Sequence, residues 1–175
     1  EDFNQRTAGS ASNNGTNTGN CSSYALGATS SASGHAGIVH GSSSVSAAPF
    51  MGPLPGGADT TNYLSIGAGA TETITFASAK NAFGLYWGSV DPYNSIKFYD
   101  AQGHVVASYT GSDIAPLLAS GNQGSFAANG YVEFAGLPFF TKVVLGSSSN
   151  AFEVDNTSAG VVPAVHAVVG TVCGT

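Results

Sequence analysis

The chain has 175 residues, enough for one domain with a real core, and 42% of them are apolar. Only 8% are charged, against about 25% in an ordinary soluble protein. The net charge of −6, with Arg6, Lys80, Lys97 and Lys142 as its only Lys and Arg side chains, excludes the basic footprint that nucleic acid requires.

Surface polarity must then come from Ser, Thr, Asn, Gln and backbone. Such a surface repels copies of itself weakly, which suits an extracellular or self-associating protein. The chain begins at Glu1 without Met, so a mature secreted form with its signal peptide removed is expected. No apolar run reaches the ~18–20 residues of a membrane span, and none is expected.

Residues 1–48 are rich in Ser, Gly, Ala, Asn and Thr, and Ser10 to Ser23 holds almost nothing apolar. This composition predicts a loosely looped region packed on, or extending from, the body. Ile38, Val39 and Val45 allow it short strands at most. The body, 49–175, opens with a turn-rich connector over 49–57. Strands are predicted at 62–66, 71–77, 82–90, 95–100, 104–110, 130–135, 140–146 and 151–155, most of them separated by Gly, Asn, Ser or Pro. Many short strands at this spacing predict an all-β fold, an antiparallel two-sheet sandwich of jelly-roll type. One short helix is expected, with Ser112 capping 113–119 and Gly121 ending it.

The tail is valine-rich from Val161 to Val172. As a strand it is apolar on both faces and needs cover from its own sheet or from a partner. Val161, Val165, Val169 and Val172 mark it as a candidate donor strand. Cys21 and Cys173 form an even pair in a secreted-looking chain. One bridge between them would close a loop of more than 150 residues, worth roughly 4–5 kcal/mol. Two free thiols, or bridges to neighbouring molecules, are the alternatives.

Residues 83–100 hold the only Trp, three of seven Tyr and two of ten Phe. Two β-favouring runs flank the turn Asp91-Pro92-Tyr93-Asn94, which reads as a hairpin. Five pieces stand in order: Asn62-Tyr-Leu-Ser-Ile66, Thr73-Ile-Thr-Phe76, the block 83–94 with Trp87-Gly-Ser-x-Asp-x-Tyr-Asn94, Lys142-Val-Val-Leu145, and Phe152-Glu-Val-Asp-Asn156. Together, over residues 60–156, they resemble the core of exosortase-dependent (PEP-CTERM type) bacterial surface proteins. The resemblance implies export to the cell surface and names no reaction. Members normally continue into a Pro-Glu-Pro motif, an apolar helix and a basic tail. This sequence has none of these, so the resemblance leaves anchoring open.

No catalytic residue is assigned. His35, His40, His104 and His166 lack zinc-ligand spacing, and no Gly-x-Ser-x-Gly elbow is present. Glu133 and Glu153 each alternate with apolar neighbours and are expected to face solvent, not to pair for glycoside cleavage. Asp91, Asn94, Asp155 and Asn156 are candidate Ca²⁺ or glycan contacts, weighed against simple turn chemistry. Phe83, Leu85 and Trp87 share a core-facing side, which leaves Tyr86 as the exposed ring for a sugar. These readings converge on a non-catalytic extracellular surface or matrix protein, self-assembling as a filament or sheet subunit by β-strand addition. Its partners would be copies of itself. The alternative is a calcium-assisted carbohydrate-binding module that takes polysaccharide. No cofactor other than Ca²⁺ is implied.

Overall fold

The computed structural model describes residues 1–16, 18–51, 57–114, 120–124 and 126–163. The fold is all-β. Its strands are β1 (Cys21–Tyr24), β2 (Ala28–Ser33), β3 (Ala36–His40), β4 (Asn62–Ile66), β5 (Thr71–Gly88), β6 (Asn94–Tyr99), β7 (Val105–Thr110), β8 (Gly130–Ser147) and β9 (Phe152–Gly160). The main path of neighbours is β3-β4-β9-β5-β8-β6-β7, with β2 also on β5 and β1 on β2. Every strand pairing is antiparallel.

Two strands organise the molecule. β5 and β8 each run 18 residues, about three times the usual strand length. The spacing of Gly and polar residues predicts two short strands in each place, and the backbone runs through instead. The cost is irregular register: the β5–β8 ladder shifts between Thr75 and Lys80 and again before Ala82. The first half of β5 pairs with β2, the second with β9. β8 likewise serves β6 with its last residues and β5 along both halves. The shared strands carry the sheet over one main core, beside which Val39, Ala48 and Tyr63 form a small second cluster. Phe83, in the second half of β5, meets Phe98 of β6 edge-on at 6.1 Å and Phe76 of the first half at 6.4 Å.

Alternation along β5 explains why that core closes. Ile74, Phe76, Phe83, Leu85 and Trp87 are buried. Trp87 stacks on Phe152 of β9 at 4.5 Å. Each ring of this size removes about 150–250 Å² from water, an upper bound near 4–6 kcal/mol. Glu72 shares that inward phase and is buried too.

The N-terminal third is more ordered than its composition predicts. β2 pairs with β5 over six residues and β3 with β4 over five. Phe3 and Tyr24 enter the main core. Small side chains are what permit this. Gly37 lies against the Gly15 carbonyl so closely that a side chain has no room. A Ser/Gly/Ala strand thus packs by backbone approach rather than by side-chain bulk.

The short helix α1 (Gly111–Ile114) starts earlier than expected. The reason is its cap. Asp113 Oδ2 accepts from the Thr110 backbone N–H and hydroxyl, both at 2.7 Å, so Thr110 and not Ser112 begins the helix. The rest of the predicted helix lies outside the described residues.

Candidate functional site

A β-bulge in β9 builds the most distinctive site. β9 pairs Ser158 with Gly84 and then Asp155 with Tyr86, so one extra residue stands on the β9 side. Asn156 there has φ 48°, the left-handed region that Asn tolerates. The bulge turns the Asp155 carboxylate back onto Asn156, whose backbone N–H and side-chain amide donate to it at 2.7 and 3.1 Å.

Asp59 faces this point from the connector before β4. Its Oδ1 accepts the Thr61 N–H at 2.7 Å and the Thr61 hydroxyl at 2.5 Å, an Asx turn. Its Oδ2 is buried and has no donor. The Asp155 carboxyl lies within hydrogen-bonding reach of Asp59. Two ionised carboxylates have no hydrogen to give each other, so the pair needs a shared proton or a cation. Burial, then the Asp59 and Asp2 charges, push the Asp155 carboxyl up to about 8 against the Asn156 N–H. Burial and the Asp59 charge also raise the Tyr86 phenol. A pocket of about 390 Å³ opens beside the pair, walled also by Asp2, Asn4, Thr60 and Asn156. Among the described residues none that lines it is cationic.

The other predicted contacts lie elsewhere and are satisfied. Asn94 is fully buried. Its Oδ1 accepts Trp87 Nε1–H at 3.2 Å and the Asp91 N–H at 3.1 Å, and its amide donates to Ser147 Oγ and the Ala151 carbonyl. Asp91 accepts the Tyr93 hydroxyl at 2.7 Å. This corner is turn chemistry. Tyr86 is half-buried, and its hydroxyl donates to the Phe50 carbonyl at 2.5 Å. The ring is therefore pinned beside the pocket rather than presented as a flat platform.

Glu153, expected to face solvent, is buried. Its Oε1 accepts the Ala47 N–H at 2.9 Å, and burial pushes its carboxyl up to about 8. Tertiary cover by the 46–48 segment overrides the strand alternation. Glu133 is exposed, as expected.

Cys21 is half-buried on β1. Burial raises its thiol, but the Arg6 guanidinium and the Ser23 N–H outweigh that and hold it below the ordinary range. Cys173, Val165, Val169, Val172 and His166 lie outside the described residues. Val161 is exposed, and the next residue is tied down: Asn81 and the Val162 backbone exchange hydrogen bonds of 2.7 and 2.9 Å. His35 accepts or donates to Thr16 at 2.7 Å, and His104 meets Asp100 at 3.1 Å.

The sheet's two ends differ. At β3, Gly9 bridges Val39 in parallel, and the Thr18 hydroxyl contacts both the N–H and carbonyl of Ile38. At β7, β6 is the only strand partner among the described residues. β7 reads Val-Val-Ala-Ser-Tyr-Thr, without charge or Pro, and exposes Val105 and Ser108.

Asp59, Glu72 and the Asp59–Asp155 encounter are absent from the sequence reading. Glu72 was accessible to it, being two residues from Ile74 in the inward phase. Nothing in the local sequence of Asp59 announces Asp155.

No protein-family model matches the chain, and no curated protein does. Among solved structures it is similar to the enzymatically active domain of tailspike protein 4 of bacteriophage CBA120, with a TM-score of 0.35 and 16% identity. The match covers 78% of this chain and 20% of the tailspike chain, so this chain spans about a fifth of that protein's length. At that level the likeness bears on neither fold nor function.

Proposed function

We propose that the chain is a non-catalytic extracellular surface or matrix protein that assembles with copies of itself by β-strand addition. The valine-rich segment 161–172 of one copy supplies the strand, and β7 of the next receives it. The observation that carries this reading is the contrast at the sheet's ends. Natural sheets guard their edges with charge, Pro or a covering segment. β3 has such cover, whereas β7 has neither charge nor Pro along its length. Backbone groups would supply the ladder and alternate Val side chains the specificity. The low charge of the whole chain removes the usual repulsion between copies.

Negative-stain imaging and size-exclusion chromatography of the full chain test it against two variants. One ends at Pro163 and keeps β9 whole. The other carries V105K and S108K, which charge the exposed side of β7 and leave the core intact. Assemblies by the full chain, lost in both variants, are expected. Equal assembly by all the forms, or none by the full chain, refutes strand addition.

A further inference from the structure

We propose that Asp59 and Asp155, with Asp2, Asn4 and Asn156 around the adjoining pocket, form a weak Ca²⁺ site that fastens the N-terminal segment and the connector before β4 to β9.

Asp59 supplies the decisive observation. It is 92% buried by its 8% exposure, it lines the pocket, and its Oδ2 lacks any donor. A buried carboxylate oxygen left unpartnered forfeits its hydration without a replacement and destabilises the fold. A neighbouring carboxylate makes that worse, unless something positive lies between them. Glu72 and Glu153 also carry an unpartnered oxygen, but neither lines this pocket. Asp59 combines such an oxygen, a second carboxylate within reach, and a void large enough for an ion with its waters.

The chemistry of the wall selects the ion. Apart from the Met51 thioether, a soft ligand unsuited to hard cations, the side chains offer oxygen and no thiolate or imidazole: two Asp at the point of encounter, a third at Asp2, and the amides of Asn4 and Asn156. Oxygen sets of this kind suit hard cations, and Ca²⁺ tolerates the irregular geometry that Mg²⁺ refuses. Among the described residues no three His, Cys, Asp or Glu groups already converge on one point. The site is therefore a two-carboxylate one completed by neutral oxygens and water. Dissociation constants of roughly 10⁻⁴–10⁻³ M follow, the range of extracellular modules.

The three chain segments that meet here give the ion its consequence. Glu1 already pairs by backbone with β9, through the Thr157 N–H at 2.8 Å. Asp2 and Asn4 continue that segment along the pocket, and Asp59 belongs to the connector. An ion held between them cross-links residues far apart in sequence; the Glu1 α-ammonium, held by the Thr157 carbonyl, and Arg6, paired with Glu1, do not line the pocket. The competing occupant is a proton shared by the two carboxyls. The charged and titratable groups around Asp155 are Asp59 and Asp2, with Tyr86 on the neighbouring strand, Tyr63 also within the field of Asp59, and the Glu1 α-ammonium on the Thr157 carbonyl with the Glu1–Arg6 ion pair behind it.

Thermal unfolding of the full chain, with EGTA or with Ca²⁺ or Mg²⁺ at about 10 mM, tests the assignment at pH 8 and pH 5. The expected result at pH 8 is a Ca²⁺-dependent rise in Tm, corresponding to a roughly 10- to 100-fold gain in the folded-to-unfolded ratio. It should shrink at pH 5, be smaller with Mg²⁺, disappear in D59N and D155N, and persist in D91N. Tb³⁺ emission from the folded wild type, displaced by Ca²⁺, reads occupancy without any variant. Absence of both the Tm rise and the Tb³⁺ displacement means that a shared proton alone fills the pair, and overturns the proposal. A response that survives in D59N and D155N overturns it equally.

Discussion

The Asp91–Asn94 corner and the Asp59–Asp155 pair are made of the same kinds of short, oxygen-bearing side chains at breaks in the sheet. They differ in bookkeeping. At the first, Asn94 gives and takes four hydrogen bonds, and Asp91 has the Tyr93 hydroxyl. At the second, two carboxylates face one another and an oxygen goes without a donor. Composition therefore cannot rank the two. What separates a corner from a site is whether the protein itself satisfies every polar atom there.

The largest expected effect that sharpens this contrast is a pH dependence. Burial raises Glu72, Glu153 and Asp155 to about 8. The unfolded chain releases these protons near the ordinary carboxyl range of about 4. Between about pH 4 and 8 the folded state holds more protons, so stability is full at the acid end and falls as pH rises. The slope approaches about 1.4 kcal/mol per pH unit for each group. Urea denaturation from pH 5 to 8 in EGTA should show that decline. D155N should flatten it by one group's share and exceed the wild type in stability at pH 8. A flat profile, or a rising one, removes the physical basis for treating the pair as unsatisfied.

At the other corner, Asn94→Ala should cost about 3 kcal/mol in urea denaturation. It leaves the Trp87 N–H and the Ala151 carbonyl buried without partners, at about 1–3 kcal/mol each. The same variant should keep its Ca²⁺ response. A cost below about 0.5 kcal/mol, within the range of ordinary surface changes, would show that the network is ornamental.

The β character and most strand positions were legible because period-two alternation is local: Ile74 with Phe76, and Phe83 with Leu85 and Trp87. The continuity of β5 and β8 was not legible. Ser78-Ala-Lys-Asn81 is as polar as a turn, and what crosses it is non-local: Lys80 pairs with Phe140 of β8, and the Asn81 side chain holds the Val162 backbone. The order of the N-terminal third was hidden for a related reason. Its strands pack through the absence of side chains, as Gly15 against Gly37, and such contacts leave no apolar signature. Of the candidate site, Asp155 and Asn156 were visible, as adjacent oxygen-bearing side chains at the predicted end of the last strand. Asp59 was invisible, since its partner lies in a strand at the far end of the chain.

The smallest expected effect is the most discriminating. Asp91 accepts one hydroxyl, from Tyr93, and burial raises its carboxyl while that hydroxyl lowers it. In D91N the amide oxygen can still accept the Tyr93 hydroxyl. The loss is the extra strength a charged acceptor lends the bond. The gain is relief from burying that charge. Each is on the order of 1 kcal/mol and they oppose, so D91N should lie within about 0.5 kcal/mol of the wild type at pH 7. Its Ca²⁺-dependent Tm shift should be unaltered, because the Asp91 carboxylate is already spoken for and does not line the pocket. If D91N instead abolishes that shift while D155N keeps it, the ion sits at the corner whose hydrogen bonds looked complete. The rule that unsatisfied atoms mark the site would then fail for this protein.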